Sequence, residues 1–194
     1  QKLRGALEGR GAIETIAHYL ALLEEAYLVV GIEKYSTRRL RARAAPPKIV
    51  VLSNAFLAAT DPEGAPSPSA SRYGAWVENA CLASAWNAGQ RVTYWREEPL
   101  EVDGVLESSW GNWAVEVKTG AYSVRDLEGL LEFTRRHPKF RPLVLCDPGL
   151  VESATRGGAL AMPWRDFLWE GPAPTPMTVR LKSSTVRAER RSTS

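Results

Sequence analysis

The sequence predicts an α/β fold in which a mixed β-sheet is flanked by helices. Residues 100–107 and 112–118 alternate apolar and polar side chains with period two, which is typical of strands. An amphipathic pattern from about Val124 to Arg136 predicts a helix, and residues 142–146 form an apolar run that suits a strand buried on both faces. A strand, a helix and a strand in succession indicate a parallel pair joined by a right-handed crossover.

Residues 1–60 are predicted to form a winged-helix-like segment. Helical spacing begins at Ile13, strands are predicted at 27–32 and 48–52, and a short helix at 53–60. The loop between the strands carries a basic cluster of Arg38, Arg39, Arg41 and Arg43. Such a basic wing can bind nucleic-acid phosphates, although a solvated hairpin tip accounts for the same charges.

The remaining elements follow from turn and helix-stop signals. Residues 61–71 are rich in Pro, Gly and Ser, which predicts a linker or a disordered loop at a domain boundary. A helix over 72–88, stopped by Gly89, and a strand over 91–96 open the second domain, residues 72–170. An edge strand is predicted at 158–162 and a closing helix at 164–169, and residues 171–194 read as a disordered basic tail.

Charged residues on the two alternating arms point to a site. The alternation puts Glu101, Asp103 and Val105 on one face, and pairing symmetric about a turn at 108–111 sets Asp103 opposite Glu116 and Glu101 opposite Lys118. Opposed carboxylates repel, and a divalent cation would relieve that repulsion. The alternative is a set of solvated charges that includes an ordinary Glu101–Lys118 ion pair.

A resemblance gives this pattern a more specific meaning. Asp103 followed by Glu116-Val117-Lys118 resembles the signature of the PD-(D/E)XK nuclease superfamily. Over roughly residues 13–170 the chain also resembles a domain of uncharacterised function that follows the ATPase module in bacterial and archaeal AAA+ ATPases. Four segments carry that resemblance, in this order: Trp76-Val77-Glu78-Asn79, Tyr94-Trp95-Arg96, Glu101-Val102-Asp103 and Val115-Glu116-Val117-Lys118.

The resemblance implies a restriction endonuclease-like fold and a metal site. Glu78, Asp103, Glu116 and the carbonyl of Val117 would hold Mg²⁺ or Mn²⁺, and Lys118 would be the catalytic lysine beside Asp103 and Glu116. Two positions depart from the ATPase-linked family. Gly104 replaces an aromatic residue and marks a weak strand interior or a close approach. Ser53 replaces an Asp and retains the capacity to cap a helix.

Two functions from different classes remain open. The first is a Mg²⁺-dependent DNA endonuclease-like domain, with Arg96 as a further phosphate contact and Tyr94 and Trp95 as residues that either stack on nucleic acid or pack in the core. The second is a catalytically inactive module that keeps the nuclease fold and binds DNA or protein as the regulatory end of an ATPase. A near-neutral total charge, 25 Lys+Arg against 22 Asp+Glu, favours the second.

Composition also indicates the cellular compartment of the chain and the segments it lacks. Its two cysteines show neither CxxC spacing nor a disulfide framework, which fits a reducing cytoplasm. We find no apolar run of membrane-spanning length and no signal peptide, so no membrane partner is expected. Because the chain begins at Gln1 and contains no phosphate-binding P-loop, we expect a fragment whose ATPase module would lie upstream.

Overall fold

A computed structural model describes residues 12–37, 45–156 and 158–172. Residues 1–11 and 173–194 lie outside the described residues, and so does the basic cluster of Arg38, Arg39, Arg41 and Arg43. The wing and tail predictions therefore stay predictions. None of the described helices has both the length and the apolar character needed to cross a bilayer.

The N-terminal elements match the predicted order. Helix α1 (Ala12–Glu25) leads to strand β1 (Val29–Ile32), and strand β2 (Lys48–Val51) pairs with it antiparallel. Helix α2 (Asn54–Thr60) follows, and the Ser53 hydroxyl accepts a hydrogen bond from the Ala55 N–H at 3.4 Å. Ser53 therefore caps this helix, as its sequence position predicted.

The second region contains a five-stranded mixed sheet, which confirms the predicted fold class. After helix α3 (Tyr73–Asn87) come strands β3 (Arg91–Glu97), β4 (Leu100–Glu107), β5 (Trp113–Lys118), β6 (Arg141–Cys146) and β7 (Leu160–Pro163), adjacent in that order. β3, β4 and β5 are antiparallel, whereas β5, β6 and β7 run parallel. The parallel strands are joined by helices α4 (Glu128–Arg136) and α5 (Val151–Arg156), and helix α6 (Trp164–Glu170) closes the region.

The helices cover both faces of the sheet. One core layer joins α3 and α6 to the sheet through residues such as Val77, Leu82 and Phe167. The other layer lies beneath α4, where Leu130 and Phe133 are fully buried. Helix α5 is the element that the sequence did not predict, because its residues 151–156 are too few to establish helical periodicity.

Helix α3 ends at Asn87, one residue before the predicted end, and Gly89 is the stop that the sequence predicted. Gly89 adopts a φ of +75°, a backbone conformation that residues with a Cβ atom rarely adopt and that glycine tolerates. The Gly89 N–H donates to the Trp86 carbonyl at 2.9 Å, and the Gln90 N–H donates to the Ala85 carbonyl at 3.0 Å. These two bonds form a Schellman motif that satisfies the last carbonyls of the helix.

Helix α4 crosses β4 at very short range because of Gly129. A Cβ atom at Gly129 would lie only 2.1 Å from the carbonyl oxygen of Glu101, so no larger residue fits without moving the helix. Glycine at this position lets the helix rest on the strand next to Asp103.

The β1–β2 sheet packs directly on α3. Val30, Ile32 and Val50 share one core layer with residues of α3. The side-chain amide of Asn79 donates to the Val51 carbonyl at 2.8 Å and accepts from the Val51 N–H at 2.9 Å, and so pairs with the strand edge as a backbone would. Residues 61–71 form turns that precede α3, where Arg72 forms an ion pair with Asp61.

Candidate functional site

A β-bulge shapes the strand that carries Asp103. Thr93 pairs with Val105 and Trp95 pairs with Val102, so the register shifts by one residue at Asp103 and Gly104. As a result Val102 and Val105 lie in the same core layer under α4. The prediction that Val105 shares a face with Glu101 and Asp103 is therefore wrong, because the bulge interrupts the period of two between Asp103 and Val105.

The register between β4 and β5 is the one predicted from the turn at 108–111. Gly104 pairs with Val115, and the two following pairs of residues keep the same alignment. Asp103 and Glu116 come one step beyond the Gly104–Val115 pair, at the end of the ladder away from the turn. There the Oδ2 atom of Asp103 accepts a hydrogen bond from the Val117 N–H at 2.9 Å, which holds the carboxylate against β5.

Gly104 makes room for the helix that carries Glu78. A Cβ atom at this position would lie 2.7 Å from Cδ2 of Leu82 on α3. Gly104, which replaces an aromatic residue of the ATPase-linked family, thus marks a close approach between strand and helix. This is one of the two meanings expected for it from the sequence. An aromatic side chain would require Leu82 and its helix to move away from the strand.

Glu116 and Lys118 form the most enclosed ion pair of the site. The Lys118 Nζ atom lies 2.8 Å from Glu116 Oε1, and Glu116 exposes only 6% of its surface. The second oxygen, Oε2, is buried without any hydrogen-bond partner among the described residues. A buried carboxylate oxygen without a partner is costly, and functional sites are where such atoms are retained.

The carboxyl groups influence one another. Burial, followed by the charges of Glu116 and Glu78, raises the pKa of Asp103 well above its ordinary value. Burial also raises the pKa of Glu116, although Lys118 opposes the shift. Burial disfavours the charge of Lys118, but the charges of Glu116 and Asp103 outweigh it and raise the pKa of that lysine. The result is a cluster of acids held close together with a charged ammonium group beside them.

Cys81 lies in the same cluster but has different chemistry. Burial, together with the charges of Asp103 and Glu78, raises the pKa of its thiol to about 12. The thiol is therefore neutral at physiological pH and serves as a small core residue, as the sequence predicted.

Glu78 is engaged by a lysine from another part of the chain. Its carboxylate forms an ion pair with Lys48 at the start of β2. Within residues 12–37, 45–156 and 158–172, no group of three or more His, Cys, Asp or Glu side chains stands ready arranged around a metal position. Asp103 is the acid that links the predicted set, because the charges of both Glu116 and Glu78 raise its pKa after burial does, and lysines form ion pairs with Glu78 and Glu116.

Two predicted contacts take a different form in the structure. Arg96 donates to one oxygen of Glu101 through Nε at 2.8 Å and Nη2 at 2.5 Å, so Glu101 pairs with Arg96 rather than with Lys118. Tyr94 and Trp95 are both buried, in opposite core layers, so Trp95 has only 3% of its surface free for contact. For this Tyr-Trp pair the packing alternative is the one observed.

Lys48 is the site residue that sequence reasoning missed. It begins a short strand of four residues, and nothing in its local pattern distinguishes it from an ordinary surface lysine. Only the packing of β2 on α3 brings it to Glu78.

Comparison with known proteins places the acidic residues in one family segment. Residues 73–167 match the family model described as Domain of unknown function (DUF4143). This segment begins with α3 and ends within α6, and it contains Glu78, Asp103, Glu116 and Lys118, whereas Lys48 lies before it. No curated protein and no solved structure matches the chain.

Proposed function

We propose that the sheet region is a metal-dependent nuclease-like domain that hydrolyses phosphodiester bonds in DNA. The observation that carries the proposal is the buried, unpartnered Oε2 atom of Glu116, in a carboxyl group beside Asp103 and ion-paired to Lys118. A buried carboxylate oxygen without a hydrogen-bond partner is suited to binding a cation.

The donor set fits a hard divalent cation. Asp103 and Glu116 offer carboxylate oxygens, which Mg²⁺ and Mn²⁺ prefer, and Mg²⁺ is usually held by one or two carboxylates. Burial, and after it the charge of Glu116, raises the pKa of Asp103, and a cation bound by both carboxylates would relieve the repulsion between them. By the resemblance to PD-(D/E)XK nucleases, Glu78 and the carbonyl of Val117 would complete the set.

Residues of the chain itself would supply positive charge to the site and hold its carboxylates in position. When bound, the cation would supply Lewis acidity toward a phosphate oxygen and lower the pKa of water. Lys118 keeps its proton, because Glu116 and Asp103 raise its pKa, and its ammonium group is placed to stabilise charge developing on a phosphate. The hydrogen bond from Val117 to Asp103 holds that carboxylate in place before any substrate arrives.

Cleavage assays test this proposal directly. The chain is incubated with supercoiled, nicked, linear and branched DNA in Mg²⁺ or Mn²⁺, beside Asp103→Asn, Lys118→Met and the control Lys139→Met. Lys139 pairs with Glu107 at 2.7 Å on the surface, so its loss removes an ion pair of similar length without touching the site. We expect cleavage by the wild type and by Lys139→Met, and loss of at least about a hundredfold in the two site variants. Activity equal in all four proteins, or absent from all, would remove the enzymatic proposal.

A second candidate function rests on the two lysines that already occupy carboxylates. If Lys48 and Lys118 neutralise Glu78 and Glu116 permanently, the region is a nuclease-like fold without hydrolysis, which binds DNA or protein as the regulatory part of an ATPase. This candidate predicts DNA retention that is insensitive to chelation of divalent cations and unchanged in Asp103→Asn. Retention that requires the cation favours the first function.

A further inference from the structure

Lys48 brings a second positive charge into the carboxylate cluster from outside the family segment. It forms an ion pair with Glu78, and its charge partly opposes the rise in the pKa of Asp103 that burial and the neighbouring acids cause. The paired side chains of Lys48 and Glu78 keep 31% and 23% of their surface exposed, so this pair is accessible to ions from solvent. The described cluster thus holds Glu78, Asp103 and Glu116 against two ammonium groups.

The position of Lys48 is determined by the backbone of its strand. Val51, three residues along β2, is tied by both of its backbone groups to the amide of Asn79. Asn79 follows Glu78 directly on α3, so the contact that seats the strand also sets the distance between Lys48 and Glu78. Val50, which lies between Lys48 and Val51 on β2, exposes 1% of its surface and anchors the strand in the core.

We propose that Lys48 is the resident counter-ion of Glu78, which a divalent cation must displace to use that carboxylate. The inference rests on the proposed function, because it assumes that a cation binds at Asp103 and Glu116. Without a cation, the ammonium group of Lys48 reduces repulsion among the acids. With one, it competes for Glu78, so a residue of the β1–β2 sheet lowers the affinity of a site that lies mostly within residues 73–167.

The affinity for Mn²⁺ alone tests the inference. Free Mn²⁺ is measured by electron paramagnetic resonance during titration of the full chain, of Lys48→Met and of Lys48→Arg, with Lys139→Met as the surface control. We expect roughly five- to tenfold tighter binding in Lys48→Met, in line with the modest strength of partly exposed ion pairs. Lys48→Arg, which keeps the charge, and Lys139→Met should retain the wild-type affinity.

A double substitution shows whether Lys48 changes the Mn²⁺ affinity through Glu78. In a Glu78→Gln background, Lys48→Met should tighten Mn²⁺ binding by less than about twofold, because the carboxylate it competes for is gone. Circular dichroism of each variant confirms that the fold is intact.

The outcomes separate the two proposals. Unchanged or weaker Mn²⁺ binding in Lys48→Met, beside saturable binding by the wild type, overturns the counter-ion role and leaves the nuclease-like function standing. Tightening of equal size with and without Glu78 also overturns it, since the effect would then act at long range. No saturable binding by any folded variant overturns the proposed function, and this inference with it.

Discussion

Replacement of Asp103 by asparagine should stabilise the cation-free protein at neutral pH. Asparagine keeps an acceptor for the Val117 N–H. It removes a buried negative charge whose pKa is raised by burial and by the charges of Glu116 and Glu78. A residue kept for function at a cost in stability is expected to behave in this way.

The magnitude follows from the charge of Glu116 beside Asp103. Two like charges about 5 Å apart repel by roughly 3 kcal/mol at an effective dielectric constant near 20. Lys118 and Lys48 offset part of this repulsion, so we expect the free energy of unfolding to increase by about 1–2 kcal/mol. For a chain of this size the melting temperature should rise by roughly 2–8 °C.

The sign of the pH dependence gives the prediction a second test. Because the pKa of Asp103 is raised in the folded state, the folded protein binds its proton more tightly than the unfolded chain does. The wild type keeps this stabilisation below the ordinary value of 3.8 and loses it as the pH rises through the raised pKa. The advantage of Asp103→Asn should therefore be small near pH 4 and grow toward pH 8.

Urea unfolding monitored by tryptophan fluorescence, in a chelator, measures both effects. Asp126→Asn is the matched control, because the Asp126 carboxylate accepts hydrogen bonds from the Ser123 N–H and hydroxyl and these lower its pKa. That substitution should destabilise the protein at neutral pH, by an amount that shrinks as the pH falls. If Asp103→Asn leaves the unfolding free energy at pH 7.5 unchanged or lowers it, Asp103 is not a source of strain and the clustering of acids is refuted.

Two further predictions concern the elements that position the site. Gly129→Ala should lower the unfolding free energy by about 1–3 kcal/mol, since its Cβ would meet the Glu101 carbonyl oxygen at 2.1 Å. Gly120→Ala is the control, because no atom lies within 4 Å of the Cβ that it adds. Equal stability of the two variants would contradict the close packing of α4 on β4. Asn79→Leu should cost about 1–3 kcal/mol, because the N–H and carbonyl of Val51 lose their partner. Hydrogen exchange at Val51 as slow as in the wild type would contradict that role.

Local patterns predicted most of the fold. Period-two alternation, the apolar run of β6 and the Gly89 stop signal each act over a few residues, and each element lies where they indicated. The register of β4 with β5 also followed, because a short turn leaves few alignments. Helix α5 escaped prediction since its six residues fit no period, and packing against β6 and β7 decides its conformation.

The site was only partly predictable, for a physical reason. Asp103, Glu116 and Lys118 lie on neighbouring strands, so the predicted register of those strands was enough to bring them near one another. The bulge lies at Asp103 and Gly104, where the absence of a Cβ leaves space for Leu82, a contact between residues far apart in the sequence. Lys48 reaches Glu78 only through tertiary packing, and no local pattern encodes that contact.

The proposed metal site is tested most directly by a crystal structure of the chain grown with Mn²⁺, with anomalous diffraction used to locate the ion. We expect one strong anomalous peak at roughly 2.1 Å from carboxylate oxygens of both Asp103 and Glu116, with Lys48 moved away from Glu78. Full occupancy should be lost in Glu116→Gln. An ion bound elsewhere, or Asp103 and Glu116 still without an ion at saturating Mn²⁺, would contradict the proposed metal site.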